Sequence, residues 1–321
     1  MDNAETYTAP YKACRVCPRA CGVDRTAGEL GICRAPATLR IGRAALHWWE
    51  EPCLVGEQGS GAVFFSYCPL GCVYCQNEDL VAGAGVEVSF AQFKQTLLRL
   101  QNEEHAANIN LVTPSHYVPT IAEALRQLRV GSAQHKSADH DEMEKLRIPV
   151  MYNTSSFDSV ESLQQLRGLI DIYLADFKYV SCDIAQKLSH ARQYPALALA
   201  ALDEMVSQID SWEESEEGLL QRGIIVRHLV LPGHVEESLR VLKTIHDRYG
   251  KQVRLSIMNQ YTPLRSELAQ YGLAGKVSDE EYETVLDYAD YLGIEDYFWQ
   301  EGGAATESFI PVFDGTGIAF S

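Results

Sequence analysis

No stretch of this sequence approaches the ~18 consecutive apolar residues that a membrane-spanning helix requires. The first residues, MDNAETYTAPYKAC, lack the basic start and apolar run of a secretory signal. The expectation is a soluble, cytoplasmic protein with no membrane partner. Basic residues are scarce: 27 Lys and Arg face 44 Asp and Glu, giving a formal net charge of −17. With no Lys/Arg-rich run to follow a phosphate backbone, nucleic acid is not expected as a partner. Charged residues make up only 22% against 46% hydrophobic ones, which argues against wholesale disorder and for a large core over the 321 residues. No internal repeat is visible beyond an alternation of strand-like and helix-like segments.

What the sequence does have is cysteine in clusters. Nine cysteines stand at positions 14, 17, 21, 33, 53, 68, 72, 75 and 182, and seven of them fall into two tight groups. An odd, clustered set in a chain of this size reads as metal ligation rather than disulfides. Cys53 and Cys182, outside both groups, read as ordinary buried cysteines.

Segment 1–60 is rich in Cys, Gly, Pro and Arg and reads as a small appendage folded around its own ligands. From Ala62 onward, apolar runs at 62–66, 108–112, 150–152, 170–175, 224–231 and 253–258 alternate with stretches of helical spacing. This is the pattern of six βα units around a parallel sheet, an α/β core over 61–300, followed by a tail at 301–321. Ser89 with Gln92, and Ser278 with Glu281, carry capping-box signals that mark two helix starts. The polar stretch 130–145 reads as a surface loop with His135 and His140 solvated. The acidic run 211–218 reads as a solvated helix face or loop.

The first of these strands leads into SYCPLGCVYCQN, residues 66–77. Three residues separate Cys68 from Cys72, and two separate Cys72 from Cys75. Three thiolates on a short loop can cap three corners of a [4Fe-4S] cube and leave the fourth iron without a protein ligand. An open iron can bind the amino and carboxylate groups of S-adenosylmethionine (SAM), whose sulfonium bond one electron then breaks. The bland alternative for these cysteines is a structural zinc. Tyr74, just before the third cysteine, either lies along an adenine or packs beneath the loop. Cys14, Cys17, Cys21 and Cys33 offer four thiolates, enough to close a tetrahedral zinc or a fully ligated cluster, and their spacing does not choose between the two.

These motifs carry a family likeness. SYCPLGCVYCQN resembles the cluster loop of the radical SAM superfamily. The wider chain is similar to its pyruvate formate-lyase activating enzyme-like branch, through CRVCPRACGVDR, GELGIC, NLVTPSHYVP, YNTSSFDS, DIYLADFKY, VRHLVLPGH, SIMNQYTP and FIPVFDGTG. The resemblance implies a partial (β/α)6 TIM-like barrel, SAM as cosubstrate and hydrogen abstraction from a partner. That partner would be a glycyl radical enzyme or a peptide, with a flavodoxin- or ferredoxin-type electron donor. Alternatives are radical modification of a small metabolite and, from a different class, a non-enzymatic iron-sulfur or zinc electron carrier.

In parallel barrels functional groups gather at the C-terminal ends of the strands. Here those ends read Thr113-Pro114-Ser115-His116, Asn153-Thr154-Ser155-Ser156, Asp176 with Lys178, Pro232-Gly233-His234 and Asn259-Gln260. The resemblance implies SAM contacts from Thr113, Ser115, Asn153, Thr154 and Ser155. These departures stand where relatives carry Gly-Gly-Glu and Asp-Thr-Asn-Gly. Asp176 and Lys178 match the family's Asp-x-Lys and are the expected catalytic and SAM-contacting pair, although two such residues on one strand also form a simple ion pair. Arg227 is expected to point into the barrel, and Gln260 falls about where relatives place a ribose-binding His. His116, His228 and His234 read as packing or turn histidines, since a carbon radical needs no general base.

Overall fold

The structure, a computed structural model, describes residues 7–130, 143–300 and 311–318. Its strands are β1 (Leu39–His47), β2 (Ser60–Phe65), β3 (Val86–Val88), β4 (Ile109–Val112), β5 (Val150–Thr154), β6 (Ile172–Asp176), β7 (Glu213–Glu214), β8 (Leu220–Leu229), β9 (Arg254–Met258) and β10 (Tyr297–Trp299). They form one sheet in the order β10-β9-β8-β6-β5-β4-β2-β1-β3, with β7 paired to β8. From β2 to β10 every pairing along this path is parallel, and β1 and β3 add an antiparallel edge. The two ends of the sheet do not pair, so the expected partial barrel stands, with a short seventh parallel strand, β10, added to the six read from sequence. Among the described residues no helix is long and apolar enough to cross a membrane.

The pleat sorts each strand's residues onto two faces. Tyr152, Tyr173, Ala175 and Val226 face the helices in the main core, which spans most of the chain. Met151, Ile172, Leu174 and Ile225 face the other way and pack with Leu54 and Leu220 in a smaller cluster. Continuing by twos along the same inner face brings β5 to Asn153, β6 to Asp176 and β8 to Arg227. The interior is thus apolar toward one end and polar toward the C-terminal ends of the strands. Both capping boxes form: Ser89 caps the helix Phe90–Asn102 and Ser278 the helix Asp279–Tyr291, each with reciprocal bonds from Gln92 or Glu281.

Two sequence expectations are corrected, on the acidic run and on Cys53 and Cys182. β1, within segment 1–60, pairs antiparallel with β2 over residues 41–47. Its arginines, Arg40 and Arg43, hid the strand by interrupting the apolar run. The acidic run forms neither a helix face nor a plain loop, since Glu213 and Glu214 pair antiparallel with β8. Cys182 is exposed and Cys53 half-buried, so neither is an ordinary buried cysteine. Residues 311–318 of the tail dock on β1 and its neighbours. The Ala44 amide donates to the Thr316 carbonyl at 2.9 Å and the Gly315 amide to the Gly42 carbonyl at 2.8 Å. Phe313 packs against the cluster of Ala62, Phe64, Leu80 and Val112. Most of the expected loop at 130–145, with His135 and His140, lies outside the described residues.

Close approach beneath β1 depends on Gly85, whose φ of +108° and missing side chain let its backbone meet the strand. A Cβ there would lie 2.3 Å from the Ile41 carbonyl oxygen. Gly85→Ala is expected to destabilise by ~2–4 kcal/mol, lowering the urea midpoint at constant m. Gly275→Ala, where nothing lies within 4 Å, is the control, expected to stay within ~0.5 kcal/mol. Equal midpoints for the two variants would refute this account.

Candidate functional site

At the C-terminal ends of the strands, a cavity of about 240 Å³ is lined by Cys68, Cys72, Tyr74 and Cys75 from the loop after β2. Thr113, Asn153, Thr154, Ser155, Asp176, Lys178, Arg227 and Gln260 line it from the other strand ends. Residues separated by up to 192 positions in sequence, drawn from six strand ends, therefore share one space. Of the residues expected to contact SAM, Ser115 is not among the lining residues. It is buried in the turn Ser115–Tyr117, 3.4 Å from the Thr154 hydroxyl.

The polar layer of the barrel is a connected ion network. Arg227 reaches Glu50 with Nη1 at 2.9 Å, Asp176 with Nε at 3.2 Å and the Asn153 side-chain oxygen with Nη2 at 2.8 Å. Lys178 Nζ donates to the other Asp176 oxygen at 2.7 Å. Asn110 donates to the remaining Glu50 oxygen at 2.8 Å. Two carboxylates and two cations, each side chain at most 17% exposed, offset one another's desolvation. Burial alone would raise the Asp176 carboxyl, but Lys178 and then Arg227 outweigh it and hold it below the ordinary range. Burial would lower Lys178, yet Asp176 keeps its ammonium charged, with the pKa raised. Glu50 was not read from sequence, and no local signal marks it, because it follows the strand that also went unread.

Around the mouth the backbone is strained. Tyr67, Thr113 and Ser156 have φ of +71°, +59° and +57°, a region that non-glycine residues rarely occupy and β-branched ones least of all. All three flank strand ends that line the cavity, the setting in which stored strain accompanies function.

The three loop thiols face this space together. Burial pushes the Cys68 thiol up to about 11, with Cys72 adding to the rise, although the Gly71 and Leu70 amides and Lys178 oppose it. Cys75 is pushed up to about 12 by burial and then by Cys68 and Cys72. The Ser189 hydroxyl donates to Cys72 Sγ at 3.0 Å. Three half-buried thiols on one loop, met by amide and hydroxyl donors and a nearby ammonium, are a donor set whose thiolate forms a metal cluster would stabilise. Tyr74 lies beneath the loop, its hydroxyl 2.6 Å from that of Tyr179.

Of the N-terminal cysteines, Cys14, Cys17 and Cys33 are buried and Cys21 is half-buried. Burial pushes Cys17 up to about 12, and Cys33, Cys14 and Cys21 each add to the rise. The segment is fastened to the barrel by arginines. Buried Arg25 donates to the His116 carbonyl at 2.7 Å and the Pro36 carbonyl at 2.6 Å. Arg19 reaches the carbonyls of Pro69 at 2.9 Å and Leu70 at 3.2 Å inside the Cys68 loop, and that of His190 at 2.8 Å. Among the described residues no three His, Cys, Asp or Glu side chains are arranged to hold a single metal ion. His116 and His228 are buried packing residues: His116 Nε2 lies 2.8 Å from the Ser66 carbonyl, and His228 lies between the Phe177 carbonyl and Ser238. His234 is half-buried at the N-terminus of the helix Val235–Tyr249.

The Asp176 carboxyl has a folded pKa below its unfolded value of ~3.9. Its contribution to stability is therefore present above that value and lost as the pH falls through the lowered one. Arg227→Met, which strands Glu50 and removes one of Asp176's cations, is expected to cost ~3–5 kcal/mol at neutral pH. Acid unfolding should also begin at higher pH than in the wild type. An acid limb that superimposes on the wild type's would mean that Arg227 does not hold the Asp176 carboxyl down.

No protein-family model matches the sequence. An uncharacterized protein from Methanocaldococcus jannaschii is 23% identical over 301 residues, covering 89% of this chain and 76% of its own. In structure, Streptococcus suis SuiB bound to S-adenosylmethionine superposes with a TM-score of 0.50 at 13% identity, over 74% of this chain. The chain spans about half of SuiB's length, 49%. A radical SAM methyltransferase from Sphaerobacter thermophilus gives a TM-score of 0.48 at 14% identity, over 77% of this chain and 69% of its own. The likeness to SuiB is one of fold, an α/β partial barrel with an open parallel sheet.

Proposed function

We propose that this chain is a radical SAM enzyme that uses Cys68, Cys72 and Cys75 to hold a [4Fe-4S] cluster and binds SAM in the adjoining cavity. The observation that carries this reading is that one C-x3-C-x2-C loop turns its thiols into the same space that gathers Asp176, Lys178, Asn153 and Gln260. Held by these three cysteines, with one iron free of protein ligands, such a cluster would supply the one-electron reduction that radical cleavage of SAM requires.

The chain's own residues bind and orient. Lys178 and Arg227 present positive charge suited to the carboxylate of SAM. Asp176 and the side-chain oxygens of Asn153 and Thr154 suit its ammonium. Thr113, Ser155 and Gln260 add polar atoms along the same wall, and Tyr74 supports the loop from below. The apolar layer of Met151, Leu174 and Ile225 closes the floor against water, which strengthens the charges above it.

Within this reading, the sequence blocks favour the pyruvate formate-lyase activating enzyme-like branch. The hydrogen would come from a glycyl radical enzyme or peptide, and the electron from a flavodoxin- or ferredoxin-type donor. Four thiols within residues 14–33, those of Cys14, Cys17, Cys21 and Cys33, three of them buried, support a second, closed metal site of zinc or iron-sulfur type.

Protein reconstituted anaerobically with iron and sulfide, reduced with dithionite and given SAM should release 5′-deoxyadenosine, and Cys68→Ala should abolish the release. A variant that matches the wild type, or no release from either, would favour a simple electron carrier. For the second site, the full chain with Cys68, Cys72 and Cys75 all changed to Ala should retain metal, lost when Cys17→Ala and Cys33→Ala are added. Metal-free triple-variant protein would remove that site from the proposal.

A further inference from the structure

A second cavity, of about 450 Å³, adjoins the first and shares Trp49, Glu50, Arg227, Met258 and Gln260 with it. Its walls come from opposite ends of the open sheet. Trp48 to Pro52 follow β1, and Tyr297 to Gln300 contain β10. The cavity therefore lies across the gap where the barrel fails to close.

Its chemistry is uneven in a way that points to a ligand. Three of the chain's four tryptophans, Trp48, Trp49 and Trp299, line it while remaining 49%, 57% and 54% exposed. Large aromatics left half in water at the rim of a cavity are unusual unless something covers them. Trp48 is held in place by a backbone that makes room for it: a Cβ on Gly59 would lie 2.7 Å from its ring. Behind the rings stand two carboxylates against one guanidinium. That guanidinium, Arg227, already serves Glu50, Asp176 and Asn153. Glu51 is 8% exposed; Ser256 reaches its carboxyl group, but its Oε2 has no hydrogen-bond partner among the described residues. A buried carboxylate oxygen without a donor is destabilising unless a donor arrives. Tryptophan faces attract cations, and a buried carboxylate completes such a cage.

We infer that this cavity is the substrate subsite, and that it takes a cationic group, an ammonium or guanidinium on a peptide or small molecule, between the tryptophan rings and against Glu51. Calling the ligand a substrate rests on the radical SAM reading; the cation site itself does not. Its place beside the cluster loop, across Glu50 and Gln260, would set the carbons flanking that cation next to the SAM cavity. The chain's net charge of −17 favours the approach of such a ligand.

The test is intrinsic fluorescence of the anaerobically purified full chain carrying Trp212→Phe, which leaves only the three cavity tryptophans. N-acetyl-arginine methylamide and N-acetyl-lysine methylamide should quench it saturably, and the neutral N-acetyl-citrulline methylamide should not. Glu51→Gln, nearly isosteric, should weaken the cations at least about tenfold. Trp299→Leu, at an exposed position, should weaken them too, so the inference does not depend on one variant folding. Citrulline binding as well as arginine, an unchanged Glu51→Gln affinity, or no saturable response to either cation would each overturn it. Cys68→Ala protein should still bind the cations. Failure here with normal 5′-deoxyadenosine release would discard the subsite alone, while binding without release would discard the radical reading alone.

Discussion

One guanidinium organises the interior of this barrel. Arg227 stands on β8 yet bonds to Asp176 on β6, Asn153 on β5 and Glu50 beyond β1. Such contacts have little slack, because a buried ion that loses its partner keeps its desolvation penalty and gains nothing in return. The strands must therefore hold the register that places residues 153, 176 and 227 at one height. The same requirement draws the segment after β1 over the end of the sheet. Asp176 in turn orients Lys178 beside the thiol loop, so the charge network and the loop are set by a common frame.

Much of this was legible in the sequence because it rests on local rules. The apolar runs that became β2, β4, β5, β6, β8 and β9 are bounded by polar turns, and Ser89 and Ser278 announce their helices through side-chain bonds only three residues long. The spacing of Cys68, Cys72 and Cys75 is local as well. What escaped depends on tertiary partners. β1 lies between β2 and the edge strand β3, and its arginines have somewhere to go only once the chain is folded: Arg40 donates to the Gly83 carbonyl at 2.6 Å and the Gly85 carbonyl at 2.7 Å. Glu50 looks like any surface glutamate until Arg227 arrives from 177 residues away. The aromatic cavity needs both ends of the sheet, so neither Trp48 nor Trp299 reveals it alone.

Strain and charge are arranged at the same end of the molecule. The apolar floor of Met151, Leu174 and Ile225 provides the rigidity against which left-handed backbone at Tyr67, Thr113 and Ser156 is maintained. Thr113 is fixed further by its amide bond to the Asn153 carbonyl at 3.0 Å. Relaxed strand ends would let the loops spread, and the polar side chains would lose their convergence.

Arg19 lies between Cys17 and Cys21 in sequence, yet its guanidinium grips Pro69 and Leu70 within the thiol loop and His190 beside the serine that bonds Cys72. A single side chain thus welds two cysteine groups into one mechanical unit. A shift in the packing of the upstream segment is thereby passed to the loop that carries Cys68, Cys72 and Cys75.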